Sequence, residues 1–206
     1  YKLSDYNTIY LLQNVSIITN LPYQKIENYF FEIQNNNLLY SYIISTIKNS
    51  QYKSIKDARC DFASRIAYYC IVRAKKPSII VENGIEIGYT AIILIAALLK
   101  NKTDGFSGKY YGFDIDPNAG LLIKQKPYNE FAQIIIGESL ESLAKFNEPI
   151  DFYFSDGGRM ASYEKKEFKL LENKLSTFGI VATNKINFSK ELSDLAIRKN
   201  KKHIYF

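Results

Sequence analysis

From residue 78 onward the chain alternates short apolar runs with helix-like segments, and this alternation constrains the fold more than any other feature. Strands are predicted by the runs at residues 78–81, 109–113, 132–136, 150–154, 179–182 and 203–206. Helices are predicted by the segments at residues 89–100, 118–126, 139–146, 163–175 and 189–199. Strands that alternate with helices through short turns form parallel βαβ units. The first and third runs lack polar alternation, as in strands that helices cover on both faces. The pattern therefore predicts an α/β three-layer sandwich around a mostly parallel sheet.

Residues 1–76 have a different pattern, because their apolar residues recur at helical spacing and few β-type runs occur. A long helix is predicted over residues 54–75, with Ser54 as its N-cap and Pro77 as its stop. No low-complexity linker separates this part from residues 77–206. We therefore predict a single domain in which a helical cap (1–76) is docked on an α/β ligand-binding part (77–206).

Charge and hydropathy argue against nucleic-acid and membrane partners. The formal charge is +6, but the basic residues are scattered, and their densest runs, at residues 73–76 and 198–202, are typical of solvated helix ends. The most apolar stretch, residues 91–99, is only nine residues long, which suits a buried helix better than a membrane span. The start of the sequence shows no signal-peptide pattern.

The few cysteines and histidines exclude several kinds of site. Cys60 and Cys70 are ten residues apart and form no Cys-x-x-Cys pair, so we predict two reduced thiols in a cytoplasmic protein. His203 is the only histidine, which argues against a His-rich zinc site and against a Ser-His-Asp triad.

The turn after the first predicted strand is the strongest candidate for ligand binding. The strand is expected to end at Glu82, Gly84 and Gly88 follow, and Thr90 stands in the first turn of the next helix. In an open parallel sheet this turn faces the crevice beyond the strand ends, where ligands bind. Glu82 is placed to pair with a ligand ammonium group, or alternatively to cap amides of its own turn. The spacing is Gly-x-x-x-Gly, not the Gly-x-Gly-x-x-Gly of dinucleotide-binding proteins, which argues against NAD.

The next strand ends also carry polar residues. Asp114 ends the second predicted strand, where an acid accepts hydrogen bonds from a ribose diol, whereas Asp116 is expected to cap the following helix. Glu138 and Ser139 follow the third strand, where an adenine edge would lie, although Ser139 is equally plausible as a helix N-cap. Asp156 follows the fourth strand and would project into the same crevice, or be a turn carboxylate without chemistry.

Together these strand ends resemble those of the class I S-adenosylmethionine-dependent methyltransferases. Over residues 65–206 the chain is most similar to the small-molecule O-methyltransferase-like group that includes macrocin O-methyltransferase and cephalosporin hydroxylase relatives. The resemblance implies a Rossmann-like sheet of order 3-2-1-4-5-6 and S-adenosylmethionine as cofactor. It assigns the cofactor to residues along these strand ends, which are Glu82, Gly84, Gly88, Thr90, Asp114, Glu138, Ser139 and Asp156.

The chain departs from this family at several positions. Metal-dependent members use the aspartate after the fourth strand together with an Asp-Asn or Asp-Asp pair after the fifth strand, where this chain has Thr183 and Asn184. Many relatives have a histidine where it has Arg159. Because hard divalent cations prefer several oxygen ligands, we predict that no metal is required. The family sheet normally ends with a hairpin of strands six and seven. Here the sequence stops within predicted strand six, so either residues are missing or another chain covers the sheet edge.

For catalysis we expect methyl transfer to a small-molecule acceptor, most plausibly a hydroxyl, with Asp156 as the leading general base and Lys185 as a distant second. Two alternatives stay open. One is a cofactor-binding or partner-binding module with degenerate catalysis, and the other is an NAD or nucleotide-sugar oxidoreductase. Tyrosines at helical spacing in the cap are more typical of core than of a pocket lid, and the same helices are a candidate homodimer interface.

Overall fold

A computed structural model of the chain describes residues 3–53, 62–158, 160–184 and 189–204. Within these residues five parallel strands form one sheet of order β3-β2-β1-β4-β5. The strands are β1 (Ile79–Asn83), β2 (Lys109–Asp114), β3 (Ala132–Ile136), β4 (Ile150–Ser155) and β5 (Leu175–Thr183). From β1 the chain adds strands first on one side and then, at β4, on the other. Because β1 and β4 are neighbours, the topological switch point lies at their carboxyl ends. The predicted Rossmann-like α/β fold is confirmed.

Helices cover both faces of the sheet. They are α1 (Asp5–Thr19), α2 (Tyr23–Gln34), α3 (Asn37–Lys48), α4 (Ile66–Lys75), α5 (Tyr89–Thr103), α6 (Ser139–Lys145), α7 (Ala161–Leu171) and α8 (Glu191–Arg198). One hydrophobic cluster joins α1–α5 to one face of the sheet, and a second joins α6–α8 to the other. Successive residues of a strand point to opposite faces. In β1, Ile80 packs toward α4 and α5, whereas Val81 packs toward α6–α8.

The N-terminal helices pack directly on the α/β part. The Tyr42 hydroxyl donates to the carbonyl of Leu122 at 3.1 Å, which ties α3 to the connection between β2 and β3. Arg73 is only 4% exposed and forms salt bridges with Glu32 of α2 and Asp104 after α5. The prediction that residues 73–76 form a solvated basic run is therefore wrong for Arg73, because two carboxylates from other elements neutralise its charge.

Two predicted helices differ from the structure. Residues 118–126 contain a 3₁₀ turn (Leu121–Ile123) and no α-helix. Gly120 there has a left-handed backbone with φ of 78°, and its amide donates to the carbonyl of Glu86, outside the segment.

Of the long helix predicted over residues 54–75, only α4 and a 3₁₀ turn (Ala63–Arg65) lie in the described residues. Ala63 has φ of 48°, and an α-helix cannot run through that conformation. Ser54, its predicted N-cap, lies outside the described residues.

The edge of the sheet beyond β5 is open in the part of the chain that the structure describes. Predicted strand six is wrong for residues 203 and 204, which are not in a strand, and residues 205 and 206 lie outside the described residues. A groove of about 790 Å³ follows the outer edge of β5 between α4 and α8. Among the described helices, none is long and apolar enough to cross a membrane.

Candidate functional site

The turn after β1 is held against the end of β4. Gly84 has φ of 85°, and a Cβ atom there would lie 2.8 Å from the carbonyl oxygen of Asp156. The Asp156 amide donates to the carbonyl of Asn83 at 2.8 Å. Only glycine combines this backbone with so close an approach. The contact in the structure is with the chain at Asp156, which this turn places at the switch point.

Glu82 lies inside the protein, on the face of the sheet that α4 and α5 cover. Its side chain is 1% exposed and accepts a hydrogen bond of 2.6 Å from the Tyr110 hydroxyl. Burial raises the pKa of the Glu82 carboxyl to about 8; the Tyr110 hydrogen bond opposes this increase, and the nearby Asp156 charge adds to it. Among the described residues Tyr110 is its one hydrogen-bond donor. Ionised Glu82 is therefore short of donors, and a cationic ligand group would stabilise it.

Asp114, and not Glu82, caps the turn. One Asp114 oxygen accepts hydrogen bonds from the amides of Ile85 at 2.8 Å and Glu86 at 2.9 Å. The other accepts from the amide of Asp116 at 2.9 Å. The alternative role suggested for Glu82, capping amides of its own turn, is thus filled by Asp114. A carboxylate has about four acceptor positions, so three amides leave little more than one for a ribose hydroxyl.

The start of α5 carries the other predicted turn residues. Gly88 is its N-cap, with φ of 94° and no side-chain cap. Thr90 is buried, and its hydroxyl oxygen accepts a hydrogen bond of 3.2 Å from Nε of Arg65. Arg65 lies before α4 and was not among the predicted site residues, because nothing in its local sequence indicates that it reaches Thr90, 25 positions later.

Tyr68 is a second residue that the sequence did not indicate. Its ring packs 4.8 Å from the ring of Phe154, and burial raises its pKa to about 12. The charges of Arg65, Asp156 and Glu82 all act on the Tyr68 hydroxyl. The first turn of α4 therefore faces the crevice between β1 and β4.

Other predicted residues follow the ends of β2 and β3. Glu138 is the exposed N-cap of α6, and Ser139 is the first helical residue, so the N-cap interpretation of Ser139 is wrong by one position. Asp116 caps a turn and not a helix, since its side chain accepts from the Asn118 amide at 2.8 Å. Lys185 lies outside the described residues.

On the opposite face of β1 lies a buried polar network that the sequence did not indicate. Glu167 of α7 is 0% exposed. It accepts hydrogen bonds from Asn83 Nδ2 at 2.5 Å, from the Tyr153 hydroxyl at 2.7 Å and from Ser155 Oγ at 2.9 Å. These contacts tie α7 to the carboxyl ends of β1 and β4.

Candidate metal ligands are sparse at the carboxyl ends of β4 and β5. Thr183 at the end of β5 pairs in register with Ser155 of β4, and Asn184 after it is exposed. In the described part of the chain, no group of three or more His, Cys, Asp or Glu side chains is placed to hold a metal ion.

Several solved structures share this fold. The SAH-bound methyltransferase PaMTH1 of Podospora anserina has a TM-score of 0.55 and 17% identity, with 71% of this chain and 61% of that chain covered. The O-methyltransferase TomG of Streptomyces achromogenes, involved in tomaymycin synthesis and solved with SAM, gives 0.52 and 14%, covering 70% and 64%. A Bacillus cereus O-methyltransferase in complex with SAH gives 0.51 and 16%, covering 85% and 86%. This chain thus spans less than two thirds of PaMTH1 and of TomG.

Sequence comparison adds the family. A comparison with curated proteins gives no match. The family model described as "Methyltransferase domain" matches residues 81–186. These residues begin within β1 and end just after β5, so the match includes the carboxyl ends of all five strands. Because it spans more than half of the chain, and the five described strands follow the implied order as far as strand five, the chain belongs to this methyltransferase-domain family.

Proposed function

We propose that the protein transfers a methyl group from S-adenosylmethionine to a hydroxyl group of a small-molecule acceptor. The observation that carries the proposal is the buried Glu82 carboxylate at the switch point, which has one donor among the described residues and stands where a ligand ammonium can pair with it. The complexes of PaMTH1 with SAH and of TomG with SAM support the choice of cofactor.

The residues at the strand ends fit such a cofactor. We assign Glu82 to the ammonium of the methionine part, and the turn that contains Gly84, Gly88 and Thr90 to the rest of that part. Asp114 keeps one acceptor position for the ribose, and Glu138 and Ser139 line the side expected for adenine. When bound, the cofactor supplies a methyl group that its sulfonium has already activated. The protein then has to orient the acceptor and manage its proton.

For the proton we propose Asp156, whose backbone is held between Asn83 and Gly84 at the crevice. A positioned carboxylate can accept the acceptor hydroxyl proton as the new bond to carbon forms. Lys185 remains a second candidate. We propose that no metal is required, because Thr183 and Asn184 stand where metal-dependent relatives have an Asp-Asn or Asp-Asp pair, and Thr183 replaces a carboxylate. Activity that requires added magnesium or calcium, with stoichiometric binding by calorimetry, would refute this.

The Asp156→Ala variant tests the catalytic assignment. We expect turnover to fall about 100-fold, which is the lower end of general-base contributions. The dissociation constant for S-adenosylhomocysteine (SAH) should change little, as measured by calorimetry. Asp151→Ala is a control, since that carboxylate serves only the amides of Ser78 and Ile79 at the far end of β1. Equal losses of turnover in both variants would remove Asp156 from the role.

Thermal-shift measurements with SAH, NAD and ATP separate the competing functions. A ligand at 100 times its dissociation constant stabilises the native state by about 2.7 kcal/mol. We expect SAH to raise the melting temperature and NAD and ATP to leave it unchanged. A shift with NAD alone would favour an oxidoreductase. Binding of SAH without turnover of any hydroxyl acceptor would favour the degenerate binding module.

We further propose a cytoplasmic location, consistent with the buried free thiol of Cys70. Cys60 lies outside the described residues.

We also propose that the protein forms a homodimer. Four large apolar side chains of α1 are exposed, namely Tyr6, Ile9, Tyr10 and Ile17. Light scattering on the wild type and on a Tyr10→Ser variant would test whether this face mediates self-association.

A further inference from the structure

We propose that Arg65 binds the carboxylate of the cofactor's amino-acid end, so that the site selects ligands that carry an intact zwitterion. The inference rests on the proposed function and extends it to a residue outside the turn after β1. It predicts that the protein discriminates SAH from otherwise identical ligands that lack the carboxylate.

Arg65 is fixed in place from two sides. It ends the 3₁₀ turn Ala63–Arg65 and leads directly into α4. Its side chain is half-buried, and its Nε donates to the Thr90 hydroxyl at 3.2 Å. Thr90 is the second residue of α5, the helix that starts at the predicted cofactor turn. The guanidinium therefore lies at the positive end of α5, where Gly88 provides no side-chain cap.

The charge of Arg65 has no carboxylate partner within salt-bridge distance, 4 Å, among the residues that the structure describes. Arg73, two turns further along the same segment, shows what this chain does with a structural arginine. Arg73 is buried and paired with both Glu32 and Asp104. Arginines at partly buried positions are normally paired in this way. A cation that has no carboxylate partner among the described residues, and that lies next to a predicted ligand site, points to an anionic group supplied by the ligand.

The donors that remain match a carboxylate. A guanidinium has five N–H donors in a planar fork, and the contact to Thr90 occupies only the one on Nε. Because the Thr90 oxygen accepts that bond, its own hydrogen is left to donate. The remaining guanidinium N–H groups and the adjacent Thr90 hydroxyl can together hold both oxygens of one carboxylate.

Glu82, the residue proposed to pair with the ligand ammonium, lies near this cation. Its carboxylate is close enough to Arg65 for the arginine charge to lower the Glu82 pKa against the larger effect of burial. The two side chains nevertheless form no salt bridge. A separated pair of opposite charges on one wall of a crevice is complementary to an ammonium and a carboxylate carried by the same carbon atom.

Affinities for three ligands test the inference by calorimetry on the full chain. The ligands are SAH, the amine analogue of SAH that lacks only the carboxylate, and 5′-methylthioadenosine, which lacks the whole amino acid. We expect the wild type to bind SAH at least tenfold more tightly than the amine analogue. In Arg65→Ala, the affinity for SAH should fall about 10- to 100-fold, the range for a charge-assisted hydrogen bond. Affinity for 5′-methylthioadenosine should stay within twofold of the wild type.

Two further variants keep the test decisive. Arg65→Lys retains the charge without the fork and should fall between the wild type and Arg65→Ala, even if the alanine variant folds poorly. Arg198→Ala removes a half-exposed arginine of α8 that pairs with Glu172, and should change none of the three affinities.

The overturning results are distinct. An equal loss of affinity for SAH and 5′-methylthioadenosine in the Arg65 variants would make Arg65 a structural tie between α4 and α5. Unchanged SAH affinity would exclude contact altogether. A wild type that binds none of the three ligands would refute the proposed function and this inference together, whereas SAH binding that is independent of Arg65 refutes the inference alone.

Discussion

Two buried glutamates flank the end of β1, one on each face of the sheet, and their surroundings differ. Glu167 receives hydrogen bonds from Asn83, Tyr153 and Ser155, all from the strands beneath it. Among the described residues Glu82 receives one, from Tyr110, and burial raises its pKa to about 8. Buried polar groups are normally paired within the protein. The comparison therefore indicates that Glu167 stabilises the fold, and it supports the proposal that Glu82 pairs with a ligand group.

Removing Glu167 should produce the largest effect. In Glu167→Ala three buried donors lose their acceptor, and we expect the free energy of unfolding to fall by about 3 kcal/mol. Urea unfolding followed by circular dichroism measures this. Glu167→Gln keeps an acceptor oxygen but adds a donor among donors, and should lose less. A loss below about 1 kcal/mol for the alanine variant would mean that the network contributes little and that the contrast with Glu82 fails.

Glu82→Gln should show the opposite pattern. The amide keeps the hydrogen bond from Tyr110 and carries no charge to desolvate, so stability at pH 8 should be equal to or above that of the wild type. The dissociation constant for SAH should rise roughly 30-fold, equivalent to about 2 kcal/mol, because the ligand ammonium loses its counter-ion. Calorimetry and urea unfolding on the same preparations give both quantities. A destabilised variant with unchanged affinity would reverse the assignments of the two glutamates.

The contrast between the glutamates also marks what the sequence can predict. Strand ends and turns are local, and Glu82, Gly84, Gly88 and Asp114 could be predicted as candidate site residues because they stand at or just after the ends of apolar runs. The Glu167 network and Arg65 could not, since their partners lie 12 to 84 positions away for Glu167 and 25 for Arg65. Only the packing of α7 and α4 on the sheet brings these groups together. The helix predicted over residues 118–126 was wrong for a related reason, because contacts to Glu86 and Ile87 divert the amides of Gly120 and Leu122.

The raised pKa of Glu82 gives the comparison a pH dependence. Its folded pKa of about 8 exceeds the ordinary value of 4.5, so between these limits the folded state holds a proton that the unfolded state releases. The contribution of Glu82 to stability is therefore complete below pH 4.5 and is lost as the pH rises to about 8. The difference in unfolding free energy between wild type and Glu82→Gln, measured from pH 6 to pH 9, isolates this effect.

Cofactor binding should carry the same proton. If the ligand ammonium pairs with ionised Glu82, binding at pH 7 releases up to one proton, and affinity falls by at most about tenfold for each pH unit below 8. Calorimetry in buffers of different ionisation enthalpy measures the release. Glu82→Gln should release none. Equal release from both proteins would assign the proton to another group.

Asp114 should show the smallest effect, because its carboxylate serves the protein first. In Asp114→Asn one oxygen can still accept from the amides of Ile85 and Glu86, so we expect stability to fall by about 1 kcal/mol or less. The amide nitrogen replaces the oxygen that receives the Asp116 amide and would face a ribose hydroxyl, so SAH should bind a few-fold more weakly. Asp114→Ala removes both functions and should weaken binding further. If Asp114→Ala loses stability while its affinity for SAH is unchanged, Asp114 resembles Glu167 and not Glu82, and the ribose must be held elsewhere.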